Sequence, residues 1–152
     1  MLDREVNIDG ADESQIPEEL MENLVYALEE GKKVLESATH GESFAPFTAI
    51  VVDDKVYMQP YPQETADESF DLAEKCVADT ENLKTYAFCY DGFIETDTGK
   101  KDAIIAEGGV SGSEVGHAIA LIYEQSCDEE TEITTYAFPN DTFYLGFAPN
   151  FA

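Results

Sequence analysis

Residues 84–107, KTYAFCYDGFIETDTGKKDAIIAE, decide the fold. The stretch holds runs of aromatic and β-branched residues, which favour strands, separated by two turn dipeptides. Asp91-Gly92 is typical of a tight type I′ hairpin turn, because both positions tolerate a positive φ. Thr98-Gly99 predicts a second turn, before the apolar run from Ala103 to Ala106. The stretch therefore predicts an antiparallel meander, not the strand–helix alternation that makes parallel sheets.

A further hairpin is predicted before this stretch. Residues 47–52 are rich in β-branched side chains, Asp53-Asp54 predicts a turn, and residues 55–59 supply the partner strand. Pro60 and Pro62 follow, and neither can donate a hydrogen bond to a ladder. The hairpin is therefore expected to end there.

After the meander, Gly108 to Ser113 predicts a flexible loop, and residues 115–124 fit two alternatives. His117, Ile119 and Leu121 alternate with other residues as in a strand, but the same segment also fits the apolar face of a helix. We favour the strand, because hairpins are predicted on both sides. Two more strands are predicted at residues 133–138 and 142–147.

Two amphipathic helices are predicted. The first runs from Pro17, a residue favoured in a first helical turn, to Ala38. The second begins at Thr65, which forms a capping box with Glu68. Their buried stripes follow helical spacing at Leu20, Leu24, Leu28 and Leu35 in the first helix, and at Ala66, Phe70, Ala73 and Val77 in the second.

Together these elements predict an α+β fold, with an antiparallel sheet of about six or seven strands and two amphipathic helices packed on one face. The length of 152 residues suits one domain. We expect residues 15–152 to form that single domain and residues 1–14 to be a frayed acidic arm.

The charge of the chain restricts its partners. There are 33 acidic and eight basic residues, a formal net charge of −25. Such a chain repels nucleic acid phosphates and anionic lipid, so neither nucleic acid nor membrane is expected as a partner. A basic protein or a divalent cation would be attracted. The three cysteines, an odd number, and the lack of a signal-peptide pattern at residues 1–5 predict a cytoplasmic protein.

No cofactor-binding motif is found, and no cofactor is predicted. The two histidines, His40 and His117, have no partner at metal-ligand spacing, and residues 7–13 lack the full pattern of a calcium loop. We predict no metal site, although bound calcium stays an open alternative. The catalytic candidates are Glu107, at the end of an apolar strand, with His117 and Asp91.

The aromatic residues point to a different function. Tyr and Phe recur through the predicted strands from Tyr57 to Phe151, so some should lie on a sheet face that the helices leave open. Aromatic residues are enriched at protein interfaces. The sequence therefore predicts a non-enzymatic protein-binding or assembly module that binds a protein partner or self-associates as a homo-oligomer. The alternatives are a small carboxylate- or divalent-cation-dependent enzyme, and an acidic inhibitor or immunity-like protein that masks a basic site.

Overall fold

The computed structural model describes residues 16–40, 44–62, 65–96, 99–139 and 142–152. The predicted arm at residues 1–14 lies outside them. Two helices and eight strands follow along the described chain: α1 (Glu18–Ser37), β1 (Phe47–Val52), β2 (Lys55–Pro60), α2 (Ala66–Asp79), β3 (Leu83–Thr96), β4 (Gly99–Val110), β5 (Gly116–Ile122), β6 (Glu124–Cys127), β7 (Thr134–Ala137) and β8 (Phe143–Ala148).

Six strands form one antiparallel sheet in the order β2-β1-β3-β4-β5-β8, and β6 pairs with β7 in a separate two-stranded ribbon. β3 and β4 lie at the centre and are the longest strands, paired from Thr85 with Val110 to Thr96 with Gly99. The predicted α+β class with an antiparallel sheet is confirmed. The preferred strand at residues 115–124 is also confirmed, as β5.

The first helix begins and ends close to the predicted residues. Pro17 is the residue before the first turn, and Ala38 follows the last. The buried side of α1 packs against β3 and β4. Asn23 is a buried polar residue on this side, and its Nδ2 donates to the carbonyl oxygen of Ala49 in β1 at 2.9 Å. This hydrogen bond fixes the helix against the sheet.

The second helix has the predicted cap. The Thr65 hydroxyl accepts a hydrogen bond from the backbone N–H of Glu68 at 3.2 Å, which satisfies one of the free amides of the first turn. Ala73 and Val77 are buried, at 0% and 2% exposure. They hold α2 against the sheet.

The two helices lie on opposite faces of the sheet, and not on one face as predicted. Ala87 and Cys89 of β3 pack in the cluster that contains α1, whereas Phe88 and Tyr90 pack in the cluster that contains Ala73 of α2. Successive side chains of a strand point to opposite faces. Both sets of side chains in β3 are apolar, so each face must be covered. We call these the α1 face and the α2 face.

The predicted turn at Asp91-Gly92 is wrong, because both residues lie inside the continuous strand β3. Gly92 pairs with Ala103 of β4. The flanking side chains explain the continuity, since the Tyr90 hydroxyl donates to Glu107 and Asp91 accepts from Tyr123. These long-range hydrogen bonds outweigh the local preference of the dipeptide for a turn.

The predicted loop at residues 108–113 begins later than expected. Gly108, Gly109 and Val110 belong to β4, and the connection to β5 spans residues 111–115, with its turn at 111–112. Gly108 lies so close to β3 that a Cβ atom there would collide with the carbonyl oxygen of Tyr86. Glycine at this position therefore serves close strand approach and does not mark a loop.

Candidate functional site

The three catalytic candidates from the sequence are not brought together. The strand alternation places Asp91 and His117 on the α1 face and Glu107 on the α2 face. Asp91 pairs with Ile104 of β4, and His117 pairs with Gly108. Four residues of strand correspond to about 13 Å, so Asp91 and His117 are also far apart. No shared catalytic geometry results for these three side chains.

Glu107 is fully buried in the middle of the sheet, at 0% exposure. Its cross-strand neighbours are Phe88 in β3 and Ala118 in β5. The Tyr90 hydroxyl donates to Glu107 Oε2 at 2.9 Å. A buried carboxyl group is tolerated only when it is hydrogen-bonded. The contact therefore makes Glu107 a structural anchor between β3 and β4.

Asp91 is a half-buried carboxyl group on the α1 face. Burial raises its pKa, and the hydrogen bond from the Tyr123 hydroxyl, at 2.7 Å, acts in the opposite direction. The nearby Asp102 carboxylate adds a further upward contribution to the pKa of Asp91. The net effect disfavours the charged form of Asp91 in the folded protein.

We therefore expect Asp91→Asn to raise the free energy of unfolding at pH 7. The folded pKa of Asp91 is above its unfolded value, so the associated stability is present at low pH and lost as pH rises through the folded pKa. The amide carries no charge and can still accept from Tyr123. Urea unfolding at pH 7 and near pH 4 should show the advantage of the variant shrinking at the lower pH.

The exposed Asp71 of α2 provides the control, since Asp71→Asn removes the same charge without a buried partner. It should not reproduce the stabilisation. A less stable Asp91→Asn protein at pH 7 would contradict the account, because the charge-assisted hydrogen bond would then outweigh the cost of burial.

His117 is a buried histidine that lies beside two aromatic rings. Only 5% of it is exposed, its Nδ1 lies 3.0 Å from the Tyr144 hydroxyl, and its ring lies 5.4 Å from that of Phe147. Burial lowers the pKa of His117. The neutral imidazole is therefore favoured, and the residue joins β5 to β8.

The described residues support neither a reactive cysteine thiol nor a metal-binding site. Burial raises the pKa of the Cys89 thiol well above its usual value, which keeps it protonated in the core. In residues 16–40, 44–62, 65–96, 99–139 and 142–152, no three His, Cys, Asp or Glu side chains group closely enough to hold a metal ion. The calcium alternative at residues 7–13 lies outside these ranges.

The predicted open aromatic face is covered. Tyr86, Phe88 and Tyr90 are each 0% exposed on the α2 face. Phe70 of α2 packs edge-on against Phe88, with ring centroids 4.7 Å apart, and Phe151 near the C-terminus stacks on Tyr86 at 5.6 Å. These aromatic residues form the core and do not form an interface.

The exposed apolar residues are instead concentrated at one edge of the sheet. β2 is the outermost strand on its side, and all six of its residues are exposed. Val56, Tyr57 and Met58 stand in succession there, with exposures of 45%, 54% and 41%. An exposed apolar edge strand is a ready template for pairing with another chain.

The hairpin fixes which backbone groups of β2 are available. Asp53 and Asp54 have φ of 50° and 63°, as in a two-residue type I′ turn, and the residues that flank such a turn pair by hydrogen bonds. The Tyr61 N–H donates to the Pro46 carbonyl. This bond shows that the alternation of bonded and non-bonded pairs continues to the end of the hairpin. Odd-numbered residues of β2 therefore bond to β1, and Val56 and Met58 present N–H and C=O groups to the open edge.

Both helices add an apolar residue beside this edge. On the α1 face, the Tyr26 hydroxyl donates to Met58 Sδ at 3.5 Å. On the α2 face, Leu72 shares a flank with Ser69, which donates to the Tyr61 carbonyl. We define the β2 surface as Tyr26, Val56, Tyr57, Met58 and Leu72.

Sequence reasoning found the strand but missed the surface. Strand order is set by long-range pairing, which the local pattern of residues 55–60 does not contain. One feature of the sequence does indicate an edge strand. Pro60 lies inside β2 at an outward position, and proline within a strand is typical of a sheet edge.

Comparison of the chain with protein-family models, with curated proteins and with solved structures finds no match. Among the described residues, neither helix has the length and apolar character needed to cross a membrane.

Proposed function

We propose that this chain is a non-enzymatic protein-binding module that adds an extended strand of its partner to the open edge of β2. The observation that carries the proposal is that all six residues of an edge strand are exposed, with three apolar side chains in succession. In strand addition, main-chain hydrogen bonds provide affinity and alternate side chains provide specificity. β2 offers both components.

The backbone component is provided by Val56 and Met58. Their outward N–H and C=O groups can form the closely spaced hydrogen-bonded pairs of an antiparallel ladder. Pro60 follows in the same outward series and has no N–H to offer. The pairing edge therefore has a defined end.

The side-chain component is provided by the β2 surface on both faces of the sheet. Val56 and Met58 point to the α1 face, where Met58 contacts Tyr26, and Tyr57 points to the α2 face, which also carries Leu72. A partner strand would cover these side chains from both sides. An apolar centre with a polar rim is the usual arrangement of protein interfaces.

We also propose a cytoplasmic location. The three cysteines, Cys76, Cys89 and Cys127, are all free thiols, as is usual in reducing compartments.

The alternative of a small enzyme has less support than the binding module, since Asp91, Glu107 and His117 occupy separate places in the sheet.

Site-specific photo-crosslinking in a cell lysate tests the proposed function. A photoreactive residue in place of Tyr57 should form a covalent adduct with a protein. Adding Met58→Pro to the same chain should reduce the yield of that adduct by about tenfold or more, because proline removes one outward N–H. Met58→Pro leaves the ladder to β1 intact, so its free energy of unfolding should change by about 1 kcal/mol or less. Val56→Pro, the equivalent change at the other outward position, should act in the same way.

The control is the same photoreactive residue in place of Val115, which is 44% exposed but lies away from β2. It should not yield the adduct seen at position 57. Equal capture at both positions, or an adduct that persists in folded Met58→Pro and Val56→Pro proteins, would refute strand addition at β2.

A further inference from the structure

The structure assigns a chemical class to the partner strand, on the basis of the proposed function. We infer that the occupant of the β2 edge is a cationic extended segment of another protein, in which apolar residues lie between flanking lysine or arginine residues. The inference comes from the charges around the β2 surface, and not from its apolar centre alone.

The edge strand itself carries no acid, and Lys55 is its only charged residue. Acids instead surround it. At one end, the turn residues Asp53 and Asp54 are exposed. Along the α2 side, Glu68 and Asp79 are exposed on the helix flank that also carries Leu72. The exposed Lys75 lies between them, so this flank keeps a net charge of −1. We call Asp53, Asp54, Glu68 and Asp79 the acidic rim.

Two glutamates of α1 are already paired with lysines. Glu30 lies 3.1 Å from Lys33, and Glu19 lies 3.2 Å from Lys84. These pairs reduce the local negative charge on that side. The turn acids Asp53 and Asp54 are therefore the part of the rim that would most strongly select a cationic residue at the end of a bound strand.

A second copy of this chain fits the same edge poorly. Each copy carries a formal net charge of −25, and each would bring an identical acidic rim to the contact. A large net charge favours the monomer, and like charges placed together across an interface are costly. A cationic segment removes this cost and gains long-range attraction.

Defined peptides test the inference by fluorescence anisotropy. The first probe alternates valine and threonine between flanking lysine pairs, and the second has glutamate in place of every lysine. At low ionic strength the cationic peptide should bind about tenfold or more tightly than the acidic one, and the difference should narrow as salt is added. A cationic peptide with N-methylated amides along one edge should lose binding, because it cannot pair with β2.

The rim is tested by the double variant Asp53→Asn and Asp54→Asn. Asparagine tolerates the positive φ of this turn, so the fold should be preserved while two charges are lost. Affinity for the cationic peptide should fall several-fold. The matched variant is Asp128→Asn with Glu129→Gln, at the exposed turn that follows β6, and it should leave the affinity nearly unchanged.

Two results would overturn the inference. One is equal affinity for the cationic and acidic peptides, and the other is a dimer in solution that Met58→Pro dissociates. Neither result would refute strand addition, since crosslinking at position 57 with loss in Met58→Pro would still hold. Failure of that crosslinking experiment would instead refute the proposed function itself.

Discussion

Replacing Phe88 with alanine is expected to lower the free energy of unfolding by about 3–5 kcal/mol. Phe88 is 0% exposed on the α2 face, and the rings of Tyr61, Phe70 and Tyr90 lie around it, with the closest centroid at 4.7 Å. Phe70 belongs to α2, Tyr90 to β3 and Tyr61 to the segment that follows β2, so these rings cannot all move in to fill the cavity. Urea unfolding followed by circular dichroism measures the loss.

Tyr57→Ala is the matched control for this prediction. Tyr57 is also an aromatic residue in a strand, but it is 54% exposed on β2. Its removal should change the free energy of unfolding by about 0.5 kcal/mol or less while weakening binding of the cationic peptide. A Phe88→Ala protein as stable as the Tyr57→Ala protein would contradict a covered α2 face.

Gly108→Ala is expected to lower the free energy of unfolding by about 3 kcal/mol. Gly108 lies in β4 between Ala87 of β3 and His117 of β5. A Cβ atom at this position would collide with the backbone carbonyl of Tyr86. Backbone in the centre of a paired sheet cannot withdraw without breaking ladder hydrogen bonds, so the collision must be relieved at high cost. Thermal and urea unfolding measure the effect.

Gly112→Ala is the control that shows whether Gly108 is needed for the close approach of two strands or for the conformational freedom of glycine. Gly112 has a φ of +86°, but no atom lies within 4 Å of the position that its Cβ would take. Its replacement should cost only the strain of a left-handed backbone, about 1–2 kcal/mol. If Gly112→Ala proved as damaging as Gly108→Ala, the close contact between β3 and β4 would not be the reason for glycine.

Those parts of the fold that depend on neighbours in sequence could be predicted. α1 follows from its apolar spacing between Pro17 and Ala38, and α2 follows from its cap at Thr65. The hairpin at Asp53-Asp54 also follows from local chemistry, because both residues tolerate positive φ. In each case the decisive interaction joins residues that are close along the chain.

Those parts that depend on distant partners could not be predicted in the same way. Asp91-Gly92 has the composition of a turn, yet Tyr123, 32 residues away, holds Asp91 within β3. The opposite placement of the two helices follows from how the chain crosses from β2 back to β3, which no spacing of apolar residues specifies. The same holds for the candidate site, since the edge position of β2 is a property of the strand order.

The placement of the aromatic residues has a consequence for function. With Tyr86 and Phe88 committed to the core, the described part of the sheet offers its apolar side chains to a partner mainly at β2. A partner that pairs there would extend the six-stranded sheet by one strand without rearranging either helix. In the proposed complex, the binding would be specified by backbone geometry at Val56 and Met58, and by the charges of the acidic rim.

Amide hydrogen exchange at Val56 and Met58, measured by NMR with and without the cationic peptide, tests strand addition most directly. Both amides face the open edge in the free protein, so they should exchange rapidly and become protected when the peptide binds. The amide of Tyr57, which bonds to β1, should be protected in both states. Saturating binding of the peptide with no added protection at Val56 and Met58 would contradict the account.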